Sequence, residues 1–548
     1  MKTSSKNTES ITWSVSAKNV TISGSWPTPY NCPMPASKDW LCAPTITLQR
    51  TRQSLSDQEH SEILEILLPG SPAHQRILDL RSAVFGGARA NLSENQSVGH
   101  WALRLAGVTE KPAIIPAVFS PANENLLPRF ESVHAQTRSL VDAIHRGEFR
   151  STSGKQIRQI IHLGIGGSDL GPQLLIKALD KLPLQPKIAT HFLSNLDYHA
   201  VDHCLATLDP TETIVIIASK SFSTEETMVN ASHLMQWMEK AAIPTPERNL
   251  IAVTSEVIRA REWRIPQAQI LWFDQSIGGR YSLWGPVSIT ARLALGNACI
   301  DEFLSGGVAM DAHFLSQPLS ENMPAVLAAT DFYNLRTRGL PTLMVSAYDS
   351  RLSLLVPYLK QLWMESLGKH IDTAGQPLDG PACPILWGDI GTNAQHAFFQ
   401  LLHQGAHGVA VDLVGILRPE HQAYTSHQAL LANLIAQSQA LSTGHPHDDA
   451  QKTCWGGHPL NLFMLDRCDA VSLGALIALW EHRVLCLAAI NQINPFDQWG
   501  VALGKSIARS VTSALNQDSA KTGSGSIGLD SASIAMIQWI NSRFSPPR

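Results

Sequence analysis

Two glycine- and hydroxyl-rich stretches, HLGIGGSDLGP at 162–172 and SKSFSTEETMVN at 219–230, each follow an apolar run and lead into a helical pattern. In the first, Gly164, Gly166 and Gly167 let backbone approach a ligand closely, and a helix start beyond them attracts anions. A dinucleotide fingerprint would need glycine at 169, where Asp169 stands, so NAD is disfavoured. The same stretch also reads as a tight strand–helix turn with Ser168 as N-cap. The second stretch carries five hydroxyls, Ser219, Ser221, Ser223, Thr224 and Thr227, together with Lys220. Ser223 and Glu226 match a capping box. A cap needs only one hydroxyl, however, and the surplus points to a cradle for a phosphate monoester.

Candidate acid–base groups lie elsewhere. In QLWMESLGKH, Glu365 falls in the last turn of an apolar helix that stops at Gly368. The wrong end of the helix dipole and burial beside Trp363 and Met364 would raise its pKa and suit a general base; the alternative is a solvated carboxylate paired with Lys369. In WGDIGTNAQHAFFQLLHQG a helix starting at Thr392, with Gln395 as a capping partner, puts His396 in its first turn, which favours the neutral ring. A structural histidine is the other reading. Arg280 in GGRYSLWG follows a turn and would stabilise an oxyanion or pair with a surface carboxylate. The string Gly500-Val-Ala-Leu-Gly504-Lys505-Ser506 imitates a nucleotide P-loop, but only three residues separate the glycines and the lead-in NQINPFDQW is no apolar strand. Lys505 therefore needs another employment. His199 and His203, near Asp197, lack the further ligands of a metal site, so no metal is expected.

The elements that must position these groups are those of an α/β protein. The 548 residues suggest two to four domains, and the 44% apolar and 16% charged content is that of an ordinary globular chain. A net charge of −4 without a basic run argues against nucleic acid and anionic membrane as partners. The eight cysteines show no CxxC spacing and read as buried reduced thiols. The N-terminal MKTSSKNTESITWS has no signal-peptide core, and the apolar run Val471–Trp480, ended by Glu481, is too short for a bilayer, so a cytoplasmic protein is expected. A Pro-rich stretch, SWPTPYNCPMPAS, and the helix QEHSEILEILL mark an N-terminal extension over 1–125. The apolar runs QIIHLGIGG, THFLSN, TIVIIASKS, NLIAVTS and QILWFDQ alternate with helical patterns, as βαβ units on a parallel sheet do, and define a first α/β domain over 126–300. PTLMVSAY and GVAVDLVGIL place a second over 301–515; the Ser/Gly-rich NQDSAKTGSGSIGLDSAS and a last helix fill 516–548.

Taken together, Gly164–Pro172, Ser219–Asn230, Gly278–Trp284, Glu365–Lys369, Gly391–Gly405 and Phe496–Lys505 resemble the phosphoglucose isomerase family, in the family's order. The resemblance implies two sugar-isomerase (SIS) domains, each a doubly wound parallel-sheet αβα sandwich, with helical N- and C-terminal extensions. It implies a homodimer with shared active sites, no cofactor, and reversible conversion of glucose 6-phosphate to fructose 6-phosphate. By motif position, Ser219, Lys220, Ser221 and Thr224 would hold the phosphate, with Gly167 and Ser168 lining the same pocket. Glu365 would shuttle the proton between C2 and C1, and Arg280 would stabilise the cis-enediolate. His396, reaching the site from the other subunit, and Lys505 would assist ring opening, with Glu226 orienting the histidine and Gln498 contacting substrate. The chain departs from the family's usual residues at Ala502 (for Glu), Leu367 (for Asn), Ala394 (for Gly), and Ser221 and Ser223 (for Thr). A non-catalytic sugar-phosphate sensor on the same domains would keep the phosphate loop but not need Glu365, His396 and Lys505. A phosphomannose-type isomerase is the third reading.

Overall fold

Parallel strands buried on both faces need near-continuous apolar runs, because helices cover both sides of the sheet. The computed structural model describes residues 40–120, 124–180, 188–516 and 528–543, and the backbone alone of 13–15 and 18–20. The Pro-rich stretch at 25–37 and most of the Ser/Gly-rich loop at 517–527 lie outside the described residues. In chain order the strands are β1 (Trp13–Val15), β2 (Lys18–Val20), β3 (Trp40–Ala43), β4 (Ile46–Gln49), β5 (Gln159–Leu163), β6 (Ala189–Leu193), β7 (Thr213–Ala218), β8 (Leu250–Thr254), β9 (Ile270–Trp272), β10 (Thr342–Ala347), β11 (Ile385–Ile390), β12 (Ala410–Ile416) and β13 (Leu460–Leu465). β1 and β2 pair only with each other.

Five of the apolar runs become one sheet of order β6-β5-β7-β8-β9, parallel throughout. Every residue of β7 is buried, as its unbroken TIVIIA run requires. The second sheet has the order β11-β10-β12-β13-β4-β3. Its first four strands are parallel, and the hairpin β3–β4 adds an antiparallel edge by pairing Ile46–Gln49 with Leu462–Leu465. Part of the N-terminal extension is thus built into the second sheet. The parallel part of each sheet begins on an inner strand, steps to one edge and crosses back, so each has a topological switch point, between β5 and β7 and between β10 and β12. In open α/β sheets, ligands bind beyond the carboxyl ends of the strands at that point.

The 22-residue helix Ala470–Asn491 is the longest described. The apolar run ends at Glu481, but the helix continues through Glu481, His482 and Arg483, and every residue except the half-buried Val471 is buried. It is long and apolar enough to cross a membrane, yet lies wholly inside the fold. Its charges survive there because each is paired. Arg104 forks onto Asp311 at 2.8 and 2.6 Å and reaches Glu481 at 2.6 Å. Arg483 forks onto Asp331 at 2.6 Å twice and reaches Asp412 of β12 at 2.5 Å, while His482 meets Asp311 at 2.7 Å.

Residues Phe496–Arg548 form a compact unit of their own, distinct from Met1–Pro495. Its described part is two helices, Trp499–Leu515 and Ser531–Arg543. Gly500, Gly504 and Lys505 lie within the first, so no phosphate-cradling loop forms there.

Candidate functional site

The loops after β5 and β7, the two strands flanking the first switch point, are the two stretches singled out for phosphate. After β5 the chain makes a single 3-10 turn, Gly166–Ser168, before the helix Leu170–Leu179. Gly166 has φ +58°, which glycine adopts without strain. Gly167 is there for close approach: a Cβ would stand 2.1 Å from the carbonyl of Gly279 and 2.6 Å from the Arg280 nitrogen. The expected Ser168 N-cap does not form. Asp169 is the cap residue, without a side-chain cap bond, and the Ser168 carbonyl accepts instead from His162 Nε2 at 2.7 Å. His162 is fully enclosed and also bonds Thr290 at 2.7 Å; burial pushes its pKa down to about 4, so the ring is neutral. Burial pushes the Asp169 carboxyl pKa up.

After β7 the capping box expected of Ser223 and Glu226 is absent. Thr224 is the N-cap of the helix Glu225–Lys240, again without a side-chain cap bond. The hydroxyls pair with each other: Ser219 with Thr224 at 3.1 Å and Ser223 with Ser221 at 2.9 Å. Phe222 between them holds φ +46°, a conformation costly for a bulky residue, with its ring buried edge-on to Trp263. The loop is thus held in a strained shape with its hydroxyls turned off the helix amides. Lys220 points elsewhere. Its ammonium donates to the Gln275 and Ile277 carbonyls at 2.7 and 3.0 Å, and burial pushes its pKa down. Its own carbonyl accepts from Thr254 and Ser255. In this structure Lys220 ties the hydroxyl loop to the segment leading into Arg280.

Arg280 is 2% exposed, so it is no surface arginine. Its Nη1 faces Glu365 Oε2 at 3.4 Å, its Nε donates to Ser366 Oγ at 2.7 Å, and its Nη2 donates to the Pro495 carbonyl at 2.5 Å. Glu365 closes a π-helical turn, Gln361–Glu365, that follows the α-helical Leu355–Lys360. Such turns are rare and concentrate at functional sites. Gln361 reaches the glycine turn: a Cβ on Gly166 would stand 2.9 Å from its amide nitrogen. Sequence reasoning passed over Gln361; the signal was a lone amide within an apolar helix, four residues before the candidate base. Glu365 is 19% exposed and ion-paired, rather than sealed among apolar side chains as expected. A carboxylate beside a fixed guanidinium, whose segment Lys220 ties to a hydroxyl-rich loop, has the parts for moving a proton at a carbon whose neighbouring oxygen takes up negative charge.

Four candidates remain: Glu226, His396, Gln498 and Lys505. Glu226 is half-buried in the first turn of its helix. His396 departs from its expected place. The helix is only Gly391–Gln395, directly preceded by the edge strand β11, and His396 is its exposed C-cap residue. Gln395 makes no capping box; it donates to the Tyr348 hydroxyl at 2.9 Å. Gln498 is the N-cap residue of Trp499–Leu515 and Lys505 an exposed residue within it, both in the C-terminal unit. Among the described residues no three His, Cys, Asp or Glu side chains converge as metal ligands.

Comparison with known proteins adds the following. The sequence model of the family described as phosphoglucose isomerase matches residues 53–536. A glucose-6-phosphate isomerase of Rhizorhabdus wittichii is 42% identical over 434 residues, 79% of this chain and 82% of that protein. One of Bordetella petrii is 38% identical over 490 residues, 86% and 90% of the two chains. The crystal structure of a glucose-6-phosphate isomerase from Chlamydia trachomatis superposes with a TM-score of 0.78 at 26% identity, over 92% of this chain and 93% of that one.

Proposed function

From a chain that belongs to the phosphoglucose isomerase family, we infer an aldose–ketose isomerase: it interconverts D-glucose 6-phosphate and D-fructose 6-phosphate, the step shared by glycolysis and gluconeogenesis. The observation that carries the assignment of roles is the Arg280–Glu365 pair at 3.4 Å, set beside the glycine turn and joined through Lys220 to the hydroxyl loop. Glu365 takes the proton from C2 and returns it to C1. Arg280 stabilises the cis-enediolate oxygens, where a donor aimed at developing charge has its largest effect. Ser219, Ser221 and Thr224, with Gly167 and Ser168, hold the phosphate, a remote handle that positions the reacting carbons. Lys220 acts there by shaping the loop. His396 and Lys505 open the ring, Glu226 orients the histidine and Gln498 contacts substrate. His396 is exposed on this subunit, which supports its delivery to a neighbouring subunit's site in a homodimer. The division into 1–125, 126–300, 301–515 and 516–548, a cytoplasmic location and independence of any cofactor belong to the same reading.

The test is a coupled assay with fructose 6-phosphate in excess EDTA, on wild type and Glu365→Gln. Removing a general base costs on the order of 10²–10⁴-fold. Wild-type turnover with collapse in the variant is expected. A variant that keeps wild-type kcat removes Glu365 from the mechanism, and a wild type that binds hexose 6-phosphate without turning it over is a sensor.

A further inference from the structure

Ser366, the residue after Glu365, is completely buried. A serine hidden from water costs stability unless its hydroxyl is bonded, and alanine would fill the same space without that cost. Its hydroxyl belongs to a closed ring. Arg280 Nε can only donate, so Ser366 Oγ accepts there at 2.7 Å. The serine proton is then directed to Tyr281 Oη at 3.0 Å, and the tyrosine proton to the Pro495 carbonyl at 3.4 Å. Arg280 Nη2 donates to that same carbonyl at 2.5 Å and closes the ring. The ring is braced from outside. The Tyr281 ring stacks on His100 at 4.8 Å, and Tyr358 donates to the Arg280 carbonyl at 3.2 Å. Fixing Nε and Nη2 fixes the guanidinium plane, and the remaining nitrogen, Nη1, is the one that faces Glu365.

We propose that Ser366 is a positioning residue for the isomerisation: through the Arg280–Ser366–Tyr281–Pro495 ring it aims Arg280 at the oxygens that become negative in the enediolate. The proposal rests on the roles given above to Arg280 and Glu365. It separates binding from chemistry, because an arginine left to swing still neutralises charge but no longer meets the transition state in register.

Ser366→Ala tests it, with kcat, KM and two inhibitors. D-Arabinonate 5-phosphate carries a carboxylate where the enediolate forms; D-arabinitol 5-phosphate has the same phosphate and a neutral head. We expect kcat to fall on the order of 10–100-fold with KM changed less than about threefold, the scale of a misplaced catalytic group. The inhibition constant of the arabinonate rises by a similar factor while that of the arabinitol holds. Unchanged kcat, or both inhibitors weakening together, overturns the proposal. If Ser366→Ala does not fold, Tyr281→Phe breaks the next link, and the absence of any selective loss of arabinonate binding there overturns it equally. Wild-type turnover is the control. Without it the reading of the site fails, whereas turnover by wild type and by Ser366→Ala at equal kcat defeats only the role of Ser366.

Discussion

Replacing Arg280 by lysine keeps the charge and removes the fork. The guanidinium satisfies three directions at once: Ser366 Oγ at 2.7 Å, the Pro495 carbonyl at 2.5 Å and Glu365 at 3.4 Å. A lysine ammonium is a single point on a shorter stem and meets one of them. If it stays with Glu365, the Pro495 carbonyl loses its charged donor in a buried place, which costs about 1–3 kcal/mol of stability. Ser366 still bonds Tyr281, and the Pro495 carbonyl keeps only the longer Tyr281 hydroxyl contact at 3.4 Å. On catalysis, losing a preorganised donor at a developing oxyanion is a loss of about 10²–10³ in kcat. The phosphate loops are untouched, so KM for fructose 6-phosphate should move by only a few-fold. Steady-state kinetics of Arg280→Lys, with a urea titration to show that the variant is folded, measure both. A folded variant with kcat within tenfold of wild type would refute the oxyanion role. A large rise in KM at constant kcat would move Arg280 to the phosphate end.

Two further perturbations address the turn after β5. The His162 pKa is pushed from 6.5 down to about 4 by burial, so as pH falls below 6.5 the unfolded chain takes up a proton there that the folded chain refuses. Stability is lost as pH falls through that window, by about 2 kcal/mol between pH 7 and pH 5 at 1.36 kcal/mol per pH unit. Urea titrations at the two pH values should show this loss shrink by that amount in His162→Asn, and equal losses would contradict it. Gly167→Ala would press a methyl to 2.1 Å from the Gly279 carbonyl, backbone that can yield only by moving the Arg280 segment. A loss of about 1–3 kcal/mol in stability and of roughly 10²-fold in kcat/KM is expected, and an alanine variant with wild-type kinetics would show that the contact is slack.

The sheets were readable wherever burial on both faces forced an unbroken apolar run, and unreadable where a polar residue was recruited. β13 was missed because Asn461 interrupts LNLFML; in the fold it donates to Asp412 and accepts from Gln53 on a distant segment, pairs that no local pattern reveals. β11 was read as the approach to a helix because Gly388 and Asp389 break it. It is a half-exposed edge, and Gly388 sits at φ +141° where a Cβ would strike the Val345 carbonyl. The hairpin β3–β4 closes on a strand more than 400 residues away in sequence. The length of the helix Ala470–Asn491 could not be read from its apolar run, which ends at Glu481, because the partners that make its charges tolerable, Arg104, Asp311, Asp331 and Asp412, all lie outside it.

At the site, residue types carried more information than local conformation did. Five hydroxyls and three glycines point to an anion whichever way each side chain turns, because the count exceeds what capping can use. The individual orientations are set by contacts that the string does not reveal, among the loop's own hydroxyls and with other segments. Lys220 illustrates this: a lysine in a phosphate loop is read as a ligand for its charge, yet its ammonium is engaged by the Gln275 and Ile277 carbonyls. Those carbonyls lie just before the Gly278–Gly279 pair that receives Gly167, and Arg280 follows at once. On the proposed roles, the lysine couples the loop that would hold phosphate to the segment that would handle charge at the reacting carbons. Its burial makes the ammonium costly unless both carbonyls stay in place, so displacing the Arg280 segment also releases the hydroxyl loop. Binding energy gathered at a phosphate in that loop would then help to hold Arg280 against Glu365, which is how a remote handle raises kcat as well as affinity.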